Sequence, residues 1–292
     1  AATYLYRYQQ MLTGALLSSG TPLWIYDSPI SHKKGMLNAN LRKAYNELFD
    51  EAEKAVAADS ARLAHVRIAR LPLRYSELEI ARTENGNSKA CIEKALETFR
   101  NICAKYGVTT LNERNNNVED YCRLYRERFL PTDTKNKAAG AKVIWNLPPD
   151  EKYLPIADKA LTDGLYGGTT FVESWVGWKG KDADFTLDMG EVKTVQKVST
   201  DFLHQLGAWI LLPKSVAYYA SEDGKAYTLI GNHEFAEDRD ISVKFVPAVV
   251  SLDKPIKARY IRVVVKTIGL CPPWHYGVGY PAWFFIDEVV VE

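Results

Sequence analysis

Apolar positions along the chain follow two different periods. Through roughly the first 130 residues they recur every three or four positions, the spacing that lines one face of a helix. In residues 4–18 the stripe is Leu5, Tyr8, Leu12, Ala15 and Leu16, and it stops at a Ser-Gly-Thr-Pro run. Residues 24–35 read as a loop with Pro29 at its middle. From Asn38 onward Leu41, Tyr45, Leu48, Phe49, Ala52 and Val56 mark a second helix, with Asn38 or Asn40 as its cap. A third helix is predicted over 60–82, with Leu63, Val66, Ile68, Leu71, Leu78 and Ile80 apolar. Pro72 should kink or cut it, because the ring removes a backbone donor and collides with the preceding turn. Residues 84–89 are turn chemistry, 90–106 form a helix stopped by Gly107, and 118–129 form a short one. The pattern predicts an antiparallel helical bundle over residues 1–130.

Residues 131–150 change character, with Pro, Thr, Lys, Ala and Gly, a strand-like AKVIWNL and then Pro148-Pro149, and they read as a linker. Over 151–292 the helical period is gone. Short alternating or solidly apolar runs recur at 184–188, 194–202, 215–221, 227–231, 242–250, 259–267 and 284–290. The turn 221–225, Ser-Glu-Asp-Gly-Lys, is the strongest hairpin signal. The fold class expected is therefore multidomain α + β: a helical bundle followed by a β-sandwich jelly roll. Residues 269–292 fasten a loop rich in Pro, Gly and aromatics, with Trp274, His275 and Tyr276, to a closing strand, and loops on a stiff scaffold carry binding chemistry.

Charge and motif content remove several function classes. A net charge of +1 gives no electrostatic footprint for nucleic acid. No apolar run reaches the roughly 18–20 residues of a membrane span. There is no HExxH, GxSxG, P-loop or dinucleotide-binding turn, and the five histidines lack metal-ligand spacing. Glu77 and Glu79, near Tyr75, are the least ordinary carboxylates of the helical part but read as surface charge. Cys91, Cys103 and Cys122 fall on predicted helices as small buried hydrophobes; with Cys271 they make no CxxC, and a Cys103–Cys122 disulfide is conceivable without support. The chain opens on Ala1 without an initiator Met and is expected to be a piece of a longer protein.

The segments LTDGLYGG (161–168), WVGWKGKDADFTLDMGEV (175–192), FLHQLGAWILLPKSVAYYASEDGKAY (202–227) and ARYIRVVV (258–265), with the 269–292 stretch, follow one another in an order that resembles a coagulation factor 5/8 type C, or discoidin-like, domain. The likeness spans roughly 143–292 and is nearest to versions near the C-termini of gut Bacteroidetes glycosidases, in the manner of carbohydrate-binding module family 32, a galactose-binding-like jelly roll. LFDEAEKAV (48–56) and HVRIARLPLRYSELE (65–79) resemble the helical region that follows a catalytic barrel in large glycoside hydrolases of the same bacteria. The resemblance implies a structural Ca²⁺ held by Asp163, a Thr at 169–170 (Thr169 by preference), carbonyls between them, and Glu288. Calcium takes six to eight oxygens, which a glycine-rich turn supplies. Alternation along the last strand sends Asp287 and Glu288 to opposite faces, so only one is expected to reach that site. Asp163 bonding only its own turn is the plain alternative.

The resemblance also implies a sugar site on loops at one end of the sandwich. The candidate contacts are Trp178, His204, Gln205, Trp209, Trp274, His275 and Tyr276, since a pyranose stacks its C–H face on an indole and needs fixed polar partners for its hydroxyls. Trp283 reads as core, Trp209 leans to core, and Trp175 fits either reading. Glycoside hydrolysis needs a carboxylate pair, usually on a barrel of about 250 residues. The helical part offers neither, so this chain is not expected to be catalytic alone.

The expected function is a non-catalytic C-terminal part of a glycoside hydrolase, binding carbohydrate and carrying an upstream catalytic domain to glycan outside the cytoplasm: secreted, periplasmic or at the cell surface. The alternative is a structural or protein-interaction module that packs on that domain without binding free sugar.

Overall fold

The computed structural model describes residues 1–292 except 24–26, 85–87, 112–116, 131–134, 170 and 172–173. The chain divides into two compact units, Ala1–Pro131 and Thr132–Glu292.

Among its described residues the first unit holds six α-helices: α1 Ala2–Ser19, α2 Ala39–Ala55, α3 Ser60–Ala69, α4 Leu71–Ala81, α5 Lys89–Lys105 and α6 Val118–Leu124. Four starts carry a side-chain cap, where Asn38, Asp59, Ser88 and Asn117 each accept a first-turn N–H. Pro72 cuts the expected third helix in two. The break falls at Arg70, and Pro72 sits in the first turn of α4, where a missing N–H costs nothing. α4 is a shared wall. Leu73 and Ile80 face Tyr45, Phe49 and Ala52 of α2, while Leu71 and Leu78 face Leu96, Phe99, Cys122 and Tyr125. Of the expected turns, 24–26 and 85–87 lie outside the described residues, and Pro29–His32 is a 3-10 turn.

Two expectations for this unit are corrected. Cys91 is exposed, not buried as expected, while Cys103 and Cys122 are buried as expected, and all three are free. Glu79 is not surface charge. It is buried, accepts the Tyr121 hydroxyl at 2.9 Å and lies 3.4 Å from Arg82. Glu77 is half-buried, and desolvation raises its pKa. Helix-surface spacing alone could not show that Asn46, Asp50 and Glu53 of α2 meet buried Arg70.

The second unit is built from β1 Lys142–Leu147, a short helix α7 Leu154–Ala160, β2 Val176–Lys179, β3 Ala183–His204, β4 Ser215–Ser221, β5 Thr228–Glu234, β6 Lys244–Lys266 and β7 Trp283–Val291. All strand pairs are antiparallel. The stretch read as a linker contains β1, which pairs with the start of β3 through Lys142↔Asp188 and Trp145↔Phe185. Runs expected as separate strands are continuous: 184–188 with 194–202 make β3, and 242–250 with 259–267 make β6. β3 and β6 pair along their length but shift register between Asp188 and Lys193 and again between Val195 and Lys197. At these bulges each strand passes from one layer to the other. The first layer runs β1, early β3, late β6, β4, β5; the second runs β2, β7, late β3, early β6.

The two layers close on an apolar core that includes Phe185, Val263 and Val216 from one side and Phe202, Phe284 and Ile286 from the other. At its centre the Trp178 ring stacks on Phe284, 5.3 Å away at 3°, and on Phe185, 6.1 Å away at 16°. Trp178 is fully buried and its N–H donates to the Leu147 carbonyl. It is a core residue, not a rim contact as expected, because in β2 it shares the inward face with Val176. Trp175 is also fully buried, its N–H donating to the Gly168 carbonyl, and Trp283 is half-buried against Tyr153 and Phe285. The Tyr218 hydroxyl of β4 crosses between layers to Thr200 and the Ala248 carbonyl.

Trp178→Ala should lower the unfolding free energy by about 3–5 kcal/mol, the usual range for removing a large buried aromatic. Urea unfolding measures it, and a loss below about 1 kcal/mol would show that the inter-layer stack contributes little.

Candidate functional site

Residues 267–282 join β6 to β7 and form one rim of the sandwich. The loop is closed on itself by main-chain bonds: Cys271 N–H to Tyr280 O at 2.8 Å, Gly279 N–H to Cys271 O at 3.1 Å and Ala282 N–H to Gly269 O at 3.0 Å. His275 is its internal pin. It is 4% exposed, its Nε2 lies 3.1 Å from the Leu206 carbonyl, and its Nδ1 accepts the Gly277 N–H at 3.0 Å. Those partners require the tautomer with the proton on Nε2. Expected as a sugar contact, His275 is instead a structural tie. Glycines and prolines around it did not prevent burial, because they let the backbone wrap the ring.

Beside this loop lies a groove of about 270 Å³, walled by Leu211, Phe235, Ile268, Leu270 and Pro272 and carrying Lys214, Glu237, Asp238 and half-buried Trp274. The Trp274 N–H donates to Glu237 Oε2 at 2.7 Å. Arg239 Nε donates to the other oxygen of Glu237 at 2.7 Å, and its guanidinium lies 5.1 Å above the indole. The Trp274 bond, then Arg239, holds the Glu237 pKa below its ordinary value. Lys244 does the same for Asp238, and the Ser242 N–H, then Lys244, draw Asp240 down to about 2. The groove therefore combines an indole, aliphatic walls and ionised acceptors at neutral pH.

His204 ends β3 and Gln205 follows it. His204 is 1% exposed, with Nε2 3.2 Å from the Asp238 carbonyl, so it braces the 235–243 segment from inside; the expectation of a direct contact is corrected. Gln205 is half-buried, and its Oε1 is sealed without a partner. Trp209 is half-buried, Tyr276 is 68% exposed and Tyr280, which sequence reasoning passed over, is 61% exposed. Of the seven sequence candidates, Trp209, Trp274 and Tyr276 reach the surface of the rim. Glu237, Asp238 and Lys214 were missed. They come from other loops, and nothing in their local sequence links them to Trp274.

A second cluster surrounds the middle of β7. Glu288 is 1% exposed; Oε1 accepts the Asn136 amide at 2.8 Å, and Oε2 has no partner. Asp287 is fully buried, with Oδ2 accepting the Gly167 N–H at 3.0 Å. Both carboxylates meet the 163–168 turn, Asp287 through the Gly167 N–H and Glu288 through the Gly164 N–H, which corrects the expectation that they point to opposite faces. The reason is a bulge. Thr200 pairs with Val289 and Phe202 with Ile286, so Asp201 alone faces Asp287 and Glu288, and the alternation is broken there. Asp163 accepts the Leu165 N–H at 3.0 Å, and its charge also acts on Glu288. Thr169 is half-buried in the same turn, and Thr170 lies outside the described residues. Burial, then the Asp163 charge, push Glu288 up to about 8. Among the described residues no three His, Cys, Asp or Glu side chains are grouped to hold a metal. The acids brought near one another there are Asp163 and Glu288. An orphaned, desolvated oxygen beside a second acid fits a hard cation such as Ca²⁺.

Residues 146–284, just under half of the chain, match the family model of the F5/8 type C domain. Similar solved structures include CBM32-1 from a family 31 glycoside hydrolase of Clostridium perfringens: 23% identity over 51% of this chain and 92% of that one, TM-score 0.34. Chitosan-binding module 1 of a chitosanase/glucanase from Paenibacillus sp. IK-5 shows 15% identity over 55% and 99%, TM-score 0.35. The C-terminal domain of a chitobiase from Bacteroides fragilis shows 21% over 46% and 77%, TM-score 0.27. The chain matches none of the curated proteins.

A Glu288 carboxyl with its pKa raised from 4.5 to about 8 holds a proton that the unfolded chain has released between those values. The folded state then binds more protons, so stability falls as pH rises through that window. In chelator-containing buffer the melting temperature should decline between about pH 5 and pH 8, and Glu288→Gln should flatten the decline. A wild-type melting temperature indifferent to pH would contradict it.

Proposed function

We propose that the 132–292 unit binds saccharide in the Trp274 groove and is a non-catalytic part of a glycoside hydrolase, holding the enzyme near polymeric glycan. The observation that carries this reading is Trp274 itself: an indole left half-exposed inside an apolar-walled groove, its N–H already satisfied by Glu237. A sugar ring offers a C–H face to such an indole, while its hydroxyls find Glu237, Asp238 and Lys214 at the wall. Single contacts of this kind are weak, and tethering to a catalytic domain turns them into a high local substrate concentration. The F5/8 type C match at 146–284 supports the reading. It expects the protein to work where polymeric glycan lies: secreted, periplasmic or on the cell surface.

The same reading includes a structural Ca²⁺ held by Asp163, Glu288 and carbonyls of the intervening turn, with Thr169 as a further oxygen donor. The ion would supply the positive charge that the buried carboxylates lack and tie the closing strand to the 163–168 turn. Calcium would displace the Glu288 proton, so millimolar calcium should raise the melting temperature at pH 8 more than at pH 5, and Glu288→Gln should abolish the difference.

A glycan array probed with the whole chain tests the main reading. Trp274→Ala should weaken the best-bound glycan about tenfold or more without changing the melting temperature by more than a few degrees. If the chain binds no glycan, the groove is a packing surface and the sugar reading is lost.

A further inference from the structure

The 267–282 loop displays a second set of rings. Tyr276 and Tyr280, 68% and 61% exposed, flank half-buried Trp209 at centroid distances of 6.2 and 5.4 Å. Trp209 and Tyr276 are held in place. The Tyr276 hydroxyl donates to the Gly207 carbonyl at 2.8 Å. Gly277 lies flat on the indole, where an added Cβ would come within 2.9 Å of Trp209 Cε2. Trp209 itself has φ 62, a left-handed conformation that bulky side chains rarely adopt. It is kept there by its N–H on the Leu206 carbonyl and by its own carbonyl accepting the Trp283 N–H, both at 2.9 Å. Backbone held in such a region, together with apolar rings held open to water, points to recognition rather than stability.

The three rings present aromatic faces and, on the tyrosines, hydroxyl edges, and are themselves uncharged. Tyrosine so presented offers an apolar body and a polar tip at little entropic cost. That suits the alternating C–H faces and hydroxyls of a saccharide chain. The cluster is also continuous with the groove: Tyr276 stacks on buried His275 at 4.5 Å, and His275 lies 5.9 Å from Trp274.

We propose that Trp209, Tyr276 and Tyr280 form a second saccharide contact, so that the ligand is an oligosaccharide or polymer segment lying across the loop, not one terminal sugar in the groove. This rests on the carbohydrate reading of the groove and adds to it the length and uncharged character of the ligand.

The test is titration calorimetry of the whole chain with ladders, from monosaccharide to hexasaccharide, of cello-, manno-, xylo- and N-acetylglucosamine oligosaccharides. For the series that binds, affinity should rise about tenfold or more between mono- and tetrasaccharide. Tyr280→Ala should remove most of that gain and change monosaccharide affinity less than about twofold, whereas Trp274→Ala should weaken every length. Equal melting temperatures check that both variants are folded. Affinity independent of length, or a Tyr280→Ala loss equal for short and long sugars, overturns the second contact while leaving the groove intact. No binding by any series overturns the groove reading and this one together.

Discussion

Everything in the second unit hangs on two long strands that belong to both layers. β3 and β6 pair from Ala183↔Val265 to His204↔Lys244, and their bulges carry that one ladder round from the first layer to the second. The other strands add to one half or the other, so neither layer can form alone. The Phe284–Trp178–Phe185 stack then fills the space between them. A sandwich tied in this way has stiff ends, and loops mounted there can be short of contacts and still ordered.

Two features of the unit use that stiffness in opposite ways. At the 267–282 loop, buried polar bonds through His275 and the main chain hold aromatic rings at the surface. In the middle of β7, a bulge turns two adjacent carboxylates inward against one glycine-rich turn, and burial makes the Glu288 charge expensive. The first arrangement suits a weakly bound, largely uncharged ligand, as proposed for saccharide. The second suits a small hard cation, as proposed for calcium. Each stands on residues that the strand ladder has placed, not on the helical unit.

Much of the fold was legible because period and punctuation are local. Asn38 capping α2, Pro72 dividing α3 from α4, Gly107 after α5 and the strand from Trp283 onward all follow from residues within one turn or one strand of each other. The ordered motifs of 161–292 likewise anticipated the domain type that matches at 146–284. The site was less legible. Trp178 and Trp274 are both indoles near glycines, yet one is sealed between two phenylalanines and the other half-open beside Glu237.

By itself, then, the sequence determined the helical first part with most of its helix boundaries, the strand-rich second part and the aromatic character of the closing loop, because these depend on neighbours along the chain. Only the tertiary structure decided that β3 and β6 each run on as one strand, that His204, His275 and Trp178 are internal, that Asp287 and Glu288 share a turn, and that Glu237 answers Trp274. Those outcomes depend on burial, on register and on pairs far apart in the chain. A residue's exposure is a property of what closes over it, and its own neighbours in the chain do not carry that information.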